Sequence, residues 1–125
     1  MSKRVLLIED HEDNRRIVRD LLNASGYEML EAITGEDGIV AAERERPDLI
    51  LMDIQLPGMN GLQLTQMLKK NPKTQDIVII AITAYAMKGD EEKLLEAGCD
   101  GYIAKPIDIH QLLQSVKQHL KKVAS

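Results

Sequence analysis

The chain has 125 residues, of which 44% are apolar and 29% charged, a composition typical of one globular domain with a single core. Its net charge is −4 and no basic run is present, which argues against a nucleic-acid-binding protein. No apolar run approaches the ~20 residues that span a bilayer, and no signal segment opens the chain, so we expect no membrane insertion and a cytoplasmic location. Cys99 is the only cysteine, which excludes an internal disulfide and favours a small buried side chain.

Strand-like and helix-like segments alternate five times along the chain. The predicted strands, in chain order, are 4–9, 27–32, 48–53, 77–83 and 101–105. The predicted helices that follow them are 12–24, a segment that begins at "TGED" (34–37) and ends at Pro47, then 61–70, 88–97 and 109–122. Such alternation predicts a parallel sheet with helices on both faces.

Apolar residues at helical spacing predict which helix faces are buried. On the first helix these include Ile17 and Val18, and on the third they are Leu64, Met67 and Leu68. The closing helix is expected to start at the N-cap Asp108, with Gln111 at the capping-box position and with an inward face made of Leu112, Leu113, Val116 and Leu120.

Three predicted strands are apolar on both faces, at 5–8, 49–52 and 77–82, which is typical of central strands in a parallel sheet. Connections between such strands should be right-handed. Ligands of these folds bind beyond the carboxyl ends of the strands, where the strand order reverses. The residues that follow each strand are therefore the ones to consider for function.

Polar residues with a common chemistry end or follow four of the five strands. They are Glu9 and Asp10, Asp53, Thr83 and Lys105. Two like charges ~4 Å apart cost about 1 kcal/mol in bulk water and about 4 kcal/mol at an effective dielectric near 20, so three neighbouring carboxylates imply a cationic ligand. Mg²⁺ fits, because it takes one or two carboxylates together with waters and phosphate oxygens. There is no ligand spacing for a calcium cage and no His/Cys set for zinc.

A carboxylate beside Mg²⁺ can attack a phosphoryl group and become an acyl phosphate. The metal and the Lys105 ammonium would neutralise charge on the phosphoryl oxygens, and the Thr83 hydroxyl would donate a hydrogen bond to the new group. Every residue at this predicted edge has a role in that chemistry.

The set of motifs resembles the receiver domain of two-component response regulators over essentially the whole chain. "LLIEDHEDN" resembles the acidic-pair motif, and "PDLILMDIQLPGMNG" the phosphoacceptor motif, with Asp53 as acceptor. "IIAITAYA" carries the switch Thr83, while "GYIAKP" carries the switch aromatic Tyr102 and Lys105. The resemblance implies a flavodoxin-like, doubly wound (βα)5 fold with strand order 2-1-3-4-5 and a cis bond before Pro106.

The resemblance also implies the ligands of Mg²⁺. These are Asp10, Asp53 and the main-chain carbonyl of Gln55, with Glu9 acting through water. Three positions depart from or vary within the family pattern. The acidic pair is Glu-Asp where Asp-Asp is more frequent, and the longer side chain of Glu9 would shift a metal-bound water. Gln55 and Tyr85 occupy sites that tune how long the phosphoryl group lasts, and a bulky Tyr85 would screen it from water.

The predicted function is a stand-alone receiver, a single domain over residues 1–125 with no output domain and no enzymatic activity beyond its own phosphorylation and dephosphorylation. The resemblance implies a histidine kinase or histidine phosphotransfer protein as phosphoryl donor, docking near the first helix and the "PIDI" segment (106–109). Phosphorylation would draw Thr83 inward with Tyr102 following, remodelling the surface of the fourth helix, fifth strand and fifth helix for a downstream target protein. A phosphorylation-dependent homodimer is left open.

Other functions stay open at this point. The chain could be a receiver domain of a hybrid histidine kinase or a phosphorelay intermediate. An aspartate-nucleophile phosphatase would need a second acid two residues after the nucleophile, where this chain has Gln55. A flavodoxin-like cofactor binder would need a first loop rich in Ser, Thr and Gly, but "EDHEDN" (9–14) is acidic and would repel a phosphate.

Overall fold

The computed structural model describes residues 3–56, 58–84 and 88–123. Five strands and five helices alternate within these described residues. The strands are β1 (Arg4–Ile8), β2 (Glu28–Ala32), β3 (Leu49–Asp53), β4 (Val78–Thr83) and β5 (Gly101–Ala104). The helices are α1 (Glu12–Ala24), α2 (Gly35–Glu45), α3 (Gly61–Lys70), α4 (Lys88–Ala97) and α5 (Ile109–Val123). The predicted alternation is confirmed, with boundaries that differ by one or two residues.

The strands form one parallel sheet in the order β2-β1-β3-β4-β5, which confirms the predicted topology. The register pairs Val5 with Leu49 and Leu49 with Val78, so the three apolar strands lie side by side in the centre. Because all five strands are parallel, their carboxyl ends lie at one edge of the sheet. This edge carries Asp53, the last residue of β3, and Thr83, the last residue of β4.

Two apolar cores cover the two faces of the sheet. One contains Ile50, Met52 and Leu64, and the other contains Leu51, Val18 and Leu112. Alternate residues of a strand point to opposite faces, so neighbours such as Ile50 and Leu51 belong to different cores. All five residues of β3 are buried. The central strands therefore hold their ends in a rigid, fully packed setting.

Short polar residues begin several helices, as the sequence predicts. The Thr34 hydroxyl accepts a hydrogen bond from the Asp37 amide at 3.1 Å, and the Asn60 side chain accepts one from the Gln63 amide at 2.9 Å. Asp108 accepts bonds from the amides of His110 and Gln111, which confirms it as the N-cap of α5. The Asn60 cap starts α3 directly after the loop that follows Asp53.

Two predicted core positions are wrong. Ile17 of α1 is 52% exposed and Met67 of α3 is 48% exposed, although their helical neighbours Val18 and Leu68 are buried. Tyr85, expected to screen the phosphoryl group, lies outside the described residues. No helix in the described ranges combines the length and apolar character needed to cross a membrane.

Candidate functional site

The carboxylate of Asp53 lies at the centre of the carboxyl edge of the sheet, and its side chain is 1% exposed. The ammonium of Lys105, which follows β5, donates a hydrogen bond to Asp53 Oδ2 at 2.9 Å. The amide of Gln55 donates a second bond to Asp53 Oδ1 at 2.9 Å. Both carboxylate oxygens of Asp53 thus accept a hydrogen bond. The bond from Lys105 is the stronger of the two, because both its donor and its acceptor are charged.

Glu9 follows β1 and lies against the same group. Its side chain is 2% exposed, and its Oε2 is 4.0 Å from the Lys105 ammonium. Burial raises the pKa of the Glu9 carboxyl above its ordinary value, and the charge of Asp53 acts in the same direction. The hydrogen bond from the His11 amide and the charge of Lys105 oppose that pKa shift. The site thus holds negative charge that one lysine only partly balances.

Asp10 completes an acidic cluster that could hold a metal ion. One ligand atom from each of Glu9, Asp10, His11 and Asp53 lies within 4.8 Å of every other. Asp10 Oδ1 is buried and accepts no hydrogen bond from the described residues. A buried carboxylate oxygen without a donor is costly unless something else, such as a cation, satisfies it. The donor set of this chain therefore fits a divalent cation.

The main chain joins β4 to the Lys105 segment. The Lys105 amide donates to the Thr83 carbonyl at 2.8 Å, and the Lys105–Pro106 peptide bond is cis, as predicted. Thr83 is 2% exposed. Tyr102 is half-buried on β5, opposite Ala81 of β4, and packs against the core that contains Met52. The predicted switch residues thus lie on adjacent strands, with Thr83 at the edge and Tyr102 inside the sheet.

Two residues of the site were not predicted from the sequence. Arg15 of α1 donates from Nη1 to the Glu9 carbonyl oxygen at 3.1 Å and from Nε to Glu31 at 3.1 Å. It thereby ties the acidic pair to β2. His11, to which the sequence assigned no role, places Nδ1 3.1 Å from Glu9 Oε1. The position of His11 directly after Glu9 and Asp10 in the sequence is the signal that could have placed it at the site.

A family model described as the response regulator receiver domain matches residues 5–117. The chain belongs to this family. The match covers β2 to β5, all of β1 except Arg4, and the acidic, acceptor, Thr83 and Lys105 motifs.

A curated relative, the polar-differentiation response regulator DivK of Brucella anthropi, is 46% identical over 120 residues, which are 96% of this chain and 98% of the relative. The receiver domain of sensor histidine kinase PA1611 from Pseudomonas aeruginosa PAO1, solved with a magnesium ion coordinated in the active site cleft, is 32% identical with a TM-score of 0.88 and covers 97% of this chain and 99% of that one. A CheY-like receiver domain protein from Methanospirillum hungatei JF-1 is 32% identical with a TM-score of 0.90, covering 98% and 96%.

These similarities support the expected fold and family, and they show that a similar receiver domain holds magnesium. The acidic cluster of this chain lies at the carboxyl edge of the sheet, where Asp10 Oδ1 is buried and accepts no hydrogen bond from the described residues. The roles of the individual site residues stay predictions.

Proposed function

We propose that the chain is a phosphorylation switch in which Asp53 accepts a phosphoryl group from a histidine kinase or a histidine phosphotransfer protein. The observation that carries the proposal is the buried Asp53 carboxylate, held 2.9 Å from the Lys105 ammonium inside an acidic cluster. A purely structural ion pair would not need two further carboxylates beside it. The family supports the same assignment.

In the proposed reaction an Asp53 oxygen attacks the phosphorus of a phosphohistidine. A P–O bond forms, the P–N bond breaks, and its electron pair returns to the imidazole nitrogen of the donor. Lys105 already contacts Asp53 and would stabilise negative charge on the phosphoryl oxygens. The Gln55 amide holds Asp53 Oδ1 in place, so the carboxylate enters the reaction with little reorientation.

Asp10, Asp53 and the main-chain carbonyl of Gln55 would hold Mg²⁺, with Glu9 acting through water. When bound, the ion would neutralise charge on the transferred group. The buried Asp10 oxygen, which accepts no hydrogen bond from the described residues, and the adjacent carboxylates of Glu9 and Asp53 favour a bound cation. Magnesium in the cleft of a similar receiver supports this choice of cation.

We propose that phosphorylation changes the surface formed by α4, β5 and α5 through Thr83 and Tyr102. The Thr83 carbonyl is bonded to the Lys105 amide, so a shift at the end of β4 is mechanically linked to the segment that carries Lys105. Tyr102 lies three residues before Lys105 on the neighbouring strand. This is a shift between two populated states, read by a downstream target protein.

The donor is proposed to dock on a groove beside the site. Asn14 and Ile17 of α1, with Lys105, Pro106, Ile107 and Ile109, line this groove of about 340 Å³. Ile17 and Ile109 are 52% and 48% exposed, whereas isoleucine is among the residues most often buried in folded proteins. Their apolar surface next to Lys105 fits a partner that must bring a phosphohistidine to Asp53.

A stand-alone receiver over residues 1–125, located in the cytoplasm, is the favoured context. Its support is the length of the DivK relative, of which the match covers 98%. A receiver domain of a hybrid kinase or a phosphorelay intermediate is the second candidate, favoured by the similarity to a sensor-kinase receiver. A phosphorylation-dependent homodimer remains part of the proposal. An aspartate-nucleophile phosphatase is disfavoured because Gln55 supplies no general acid.

The deciding experiment is the intact mass of the protein after incubation with acetyl phosphate, with and without Mg²⁺. Wild type should gain one labile phosphoryl group only with Mg²⁺, and Asp53→Asn should gain none. If wild type gains no mass, beryllofluoride is added with Mg²⁺. A response of the Tyr102 environment would then indicate a receiver that accepts only from its cognate kinase, whereas no response would indicate an inactive site and contradict the proposal.

The donor surface is tested with a histidine kinase or phosphotransfer protein that labels wild type. Ile17→Glu should slow that transfer but leave labelling by acetyl phosphate unchanged, because the small donor needs no docking surface. Val40→Glu is the matched control, since Val40 on α2 is also 52% exposed and does not line the groove. Equal effects of the two variants would place the donor elsewhere.

A further inference from the structure

Arg15, in the first turn of α1, joins this helix to β2 and to the residue that follows β1. Its Nη1 donates to the carbonyl oxygen of Glu9 at 3.1 Å, and its Nε donates to Glu31 Oε1 at 3.1 Å. The Arg15 side chain is 18% exposed, whereas that of the next residue, Arg16, is 56% exposed. Because the guanidinium is a rigid plane, the two bonds have a fixed direction relative to each other. Arg15 is therefore held in one place between β2 and the acidic pair.

The bond from Arg15 fixes the peptide group that precedes Asp10. The Glu9 amide donates to the Ala32 carbonyl at 3.1 Å, and Arg15 supplies the bond to the Glu9 carbonyl. Because a peptide group is planar, holding the Glu9 carbonyl also sets the direction in which the chain enters Asp10. Asp10 Oδ1 is buried and accepts no hydrogen bond from the described residues. The position of this oxygen therefore depends on the main chain that Arg15 holds.

Glu31 keeps the charge of Arg15 paired outside the acidic cluster. Its Oε1 lies 3.1 Å from Arg15 Nε and 3.4 Å from Arg19 Nη1. The bond from Arg15 to Glu9 goes to the carbonyl oxygen and not to the carboxylate. A guanidinium that paired with one of the clustered carboxylates would compete with a bound cation, since such pairs are strong. The pairing with Glu31 leaves those carboxylates to a cation.

We propose that Arg15 is a positioning residue for the cation site, which directs the Asp10 carboxylate by holding the Glu9 carbonyl and is itself held by Glu31 of β2. The inference rests on the proposed function, since it concerns the same Mg²⁺ site. An ion pair that only joined α1 to β2 would change the stability of the fold but not the affinity of the folded protein for Mg²⁺. Replacing residues that orient metal ligands typically weakens metal binding about 10–100-fold.

The test measures the Kd for Mg²⁺ from the amide resonances of the ¹⁵N-labelled protein during a titration. Arg15→Gln should raise this Kd about tenfold or more. Arg16→Gln is the matched control, because it removes the same charge from the next, exposed position of α1. Loss of a positive charge near a cation site lowers the Kd by itself, so charge and positioning predict opposite signs for Arg15→Gln.

Two further variants separate the parts of the proposal. Arg15→Lys keeps the charge but not the planar fork, so it should also raise the Kd, and it serves as the test if Arg15→Gln does not fold. Glu31→Ala should raise the Kd in wild type but have no further effect beside an Arg15 substitution, because it acts through Arg15. Without metal, Arg15→Gln should shift the ¹⁵N resonance of the Asp10 amide, which belongs to the same peptide group as the Glu9 carbonyl.

A Kd for the Arg15 variants at or below that of wild type would overturn the inference and leave Arg15 as a purely structural link. An equal effect of Glu31→Ala with and without Arg15 would overturn the part assigned to Glu31. The proposed function fails in a different way, namely when wild type itself binds no Mg²⁺, and the inference then fails with it.

Discussion

The Lys105 ammonium lies 2.9 Å from Asp53 Oδ2, across a sequence separation of 52 residues. The two residues follow or end strands that are not neighbours, because β4 lies between β3 and β5. Lys105 therefore reaches past the end of β4, where Thr83 is located, to contact the carboxylate. Any group added to Asp53 would have to be accommodated at this contact, which couples the proposed chemistry to the β4–β5 side of the sheet.

Asp53→Asn should raise the melting temperature of the metal-free protein. The substitution removes one of the three clustered carboxylates while the amide oxygen can still accept from Lys105 or Gln55. Relief of about 1 kcal/mol of repulsion would raise the melting temperature by about 3–5 °C. Thermal unfolding in EDTA, with Asp37→Asn on the exposed start of α2 as control, measures the difference. A lower melting temperature would mean that the ion pair with Lys105 outweighs the repulsion.

Lys105→Gln should slow phosphorylation of Asp53. Loss of one donor that stabilises developing negative charge costs about 10²-fold in rate. The rate of mass gain from acetyl phosphate with Mg²⁺ measures this effect, and Lys73→Gln, at an exposed lysine, should label like wild type. A labelling rate for Lys105→Gln within error of wild type would remove Lys105 from the proposed catalytic set.

Thr83→Ala should still accept the phosphoryl group on Asp53, but the environment of Tyr102 should no longer change in response. The hydroxyl is the proposed link between the new group and the end of β4, where Thr83 is buried. Tyrosine fluorescence before and after phosphorylation reports the response, with Tyr102→Phe identifying the signal of that residue; tryptophan is absent from the sequence. Thr83→Ser should restore the response. If Thr83→Ala responds fully, the switch runs through another residue.

Gly61→Ala should destabilise the protein and disturb the loop after Asp53. A Cβ at Gly61 would lie 2.6 Å from the Ile54 Cα, a backbone atom that cannot easily move. Such overpacking costs about 1–3 kcal/mol in the free energy of unfolding. Gly38→Ala is the comparison, since its Cβ meets the flexible end of the Ile8 side chain at 2.5 Å. Urea unfolding should show the larger loss for Gly61→Ala.

Cys99 should react slowly with iodoacetamide in the native protein. Burial raises the pKa of its thiol, so less thiolate is present at any pH near 8 than for an ordinary cysteine. A raised pKa in the folded state means that folding favours the protonated thiol. Its contribution to stability is full at neutral pH and is lost as the pH rises through that pKa. Alkylation rates at pH 8, native and in urea, check this, and equal rates would contradict it.

The fold could be read from local patterns because each strand and helix carries its own signal. The three central strands are apolar on both faces, and caps such as Thr34 and Asp108 mark helix starts. The helix faces were less predictable. Periodicity placed Ile17 with Val18 and Met67 with Leu68, but the width of the buried stripe depends on the neighbouring elements, and both outer residues are exposed.

The sequence by itself determined the alternation of strands and helices and which residues follow each strand. Parallel pairing then requires Glu9, Asp53, Thr83 and Lys105 to lie at one edge, because strand ends of a parallel sheet share a direction. Only the tertiary structure decided the contacts made across that edge. The ring nitrogen of His11 faces both acids, and Arg15 binds the Glu9 carbonyl, because the start of α1 folds over the end of β1. Side-chain direction at such a turn depends on packing and charge from several elements, which no local pattern encodes.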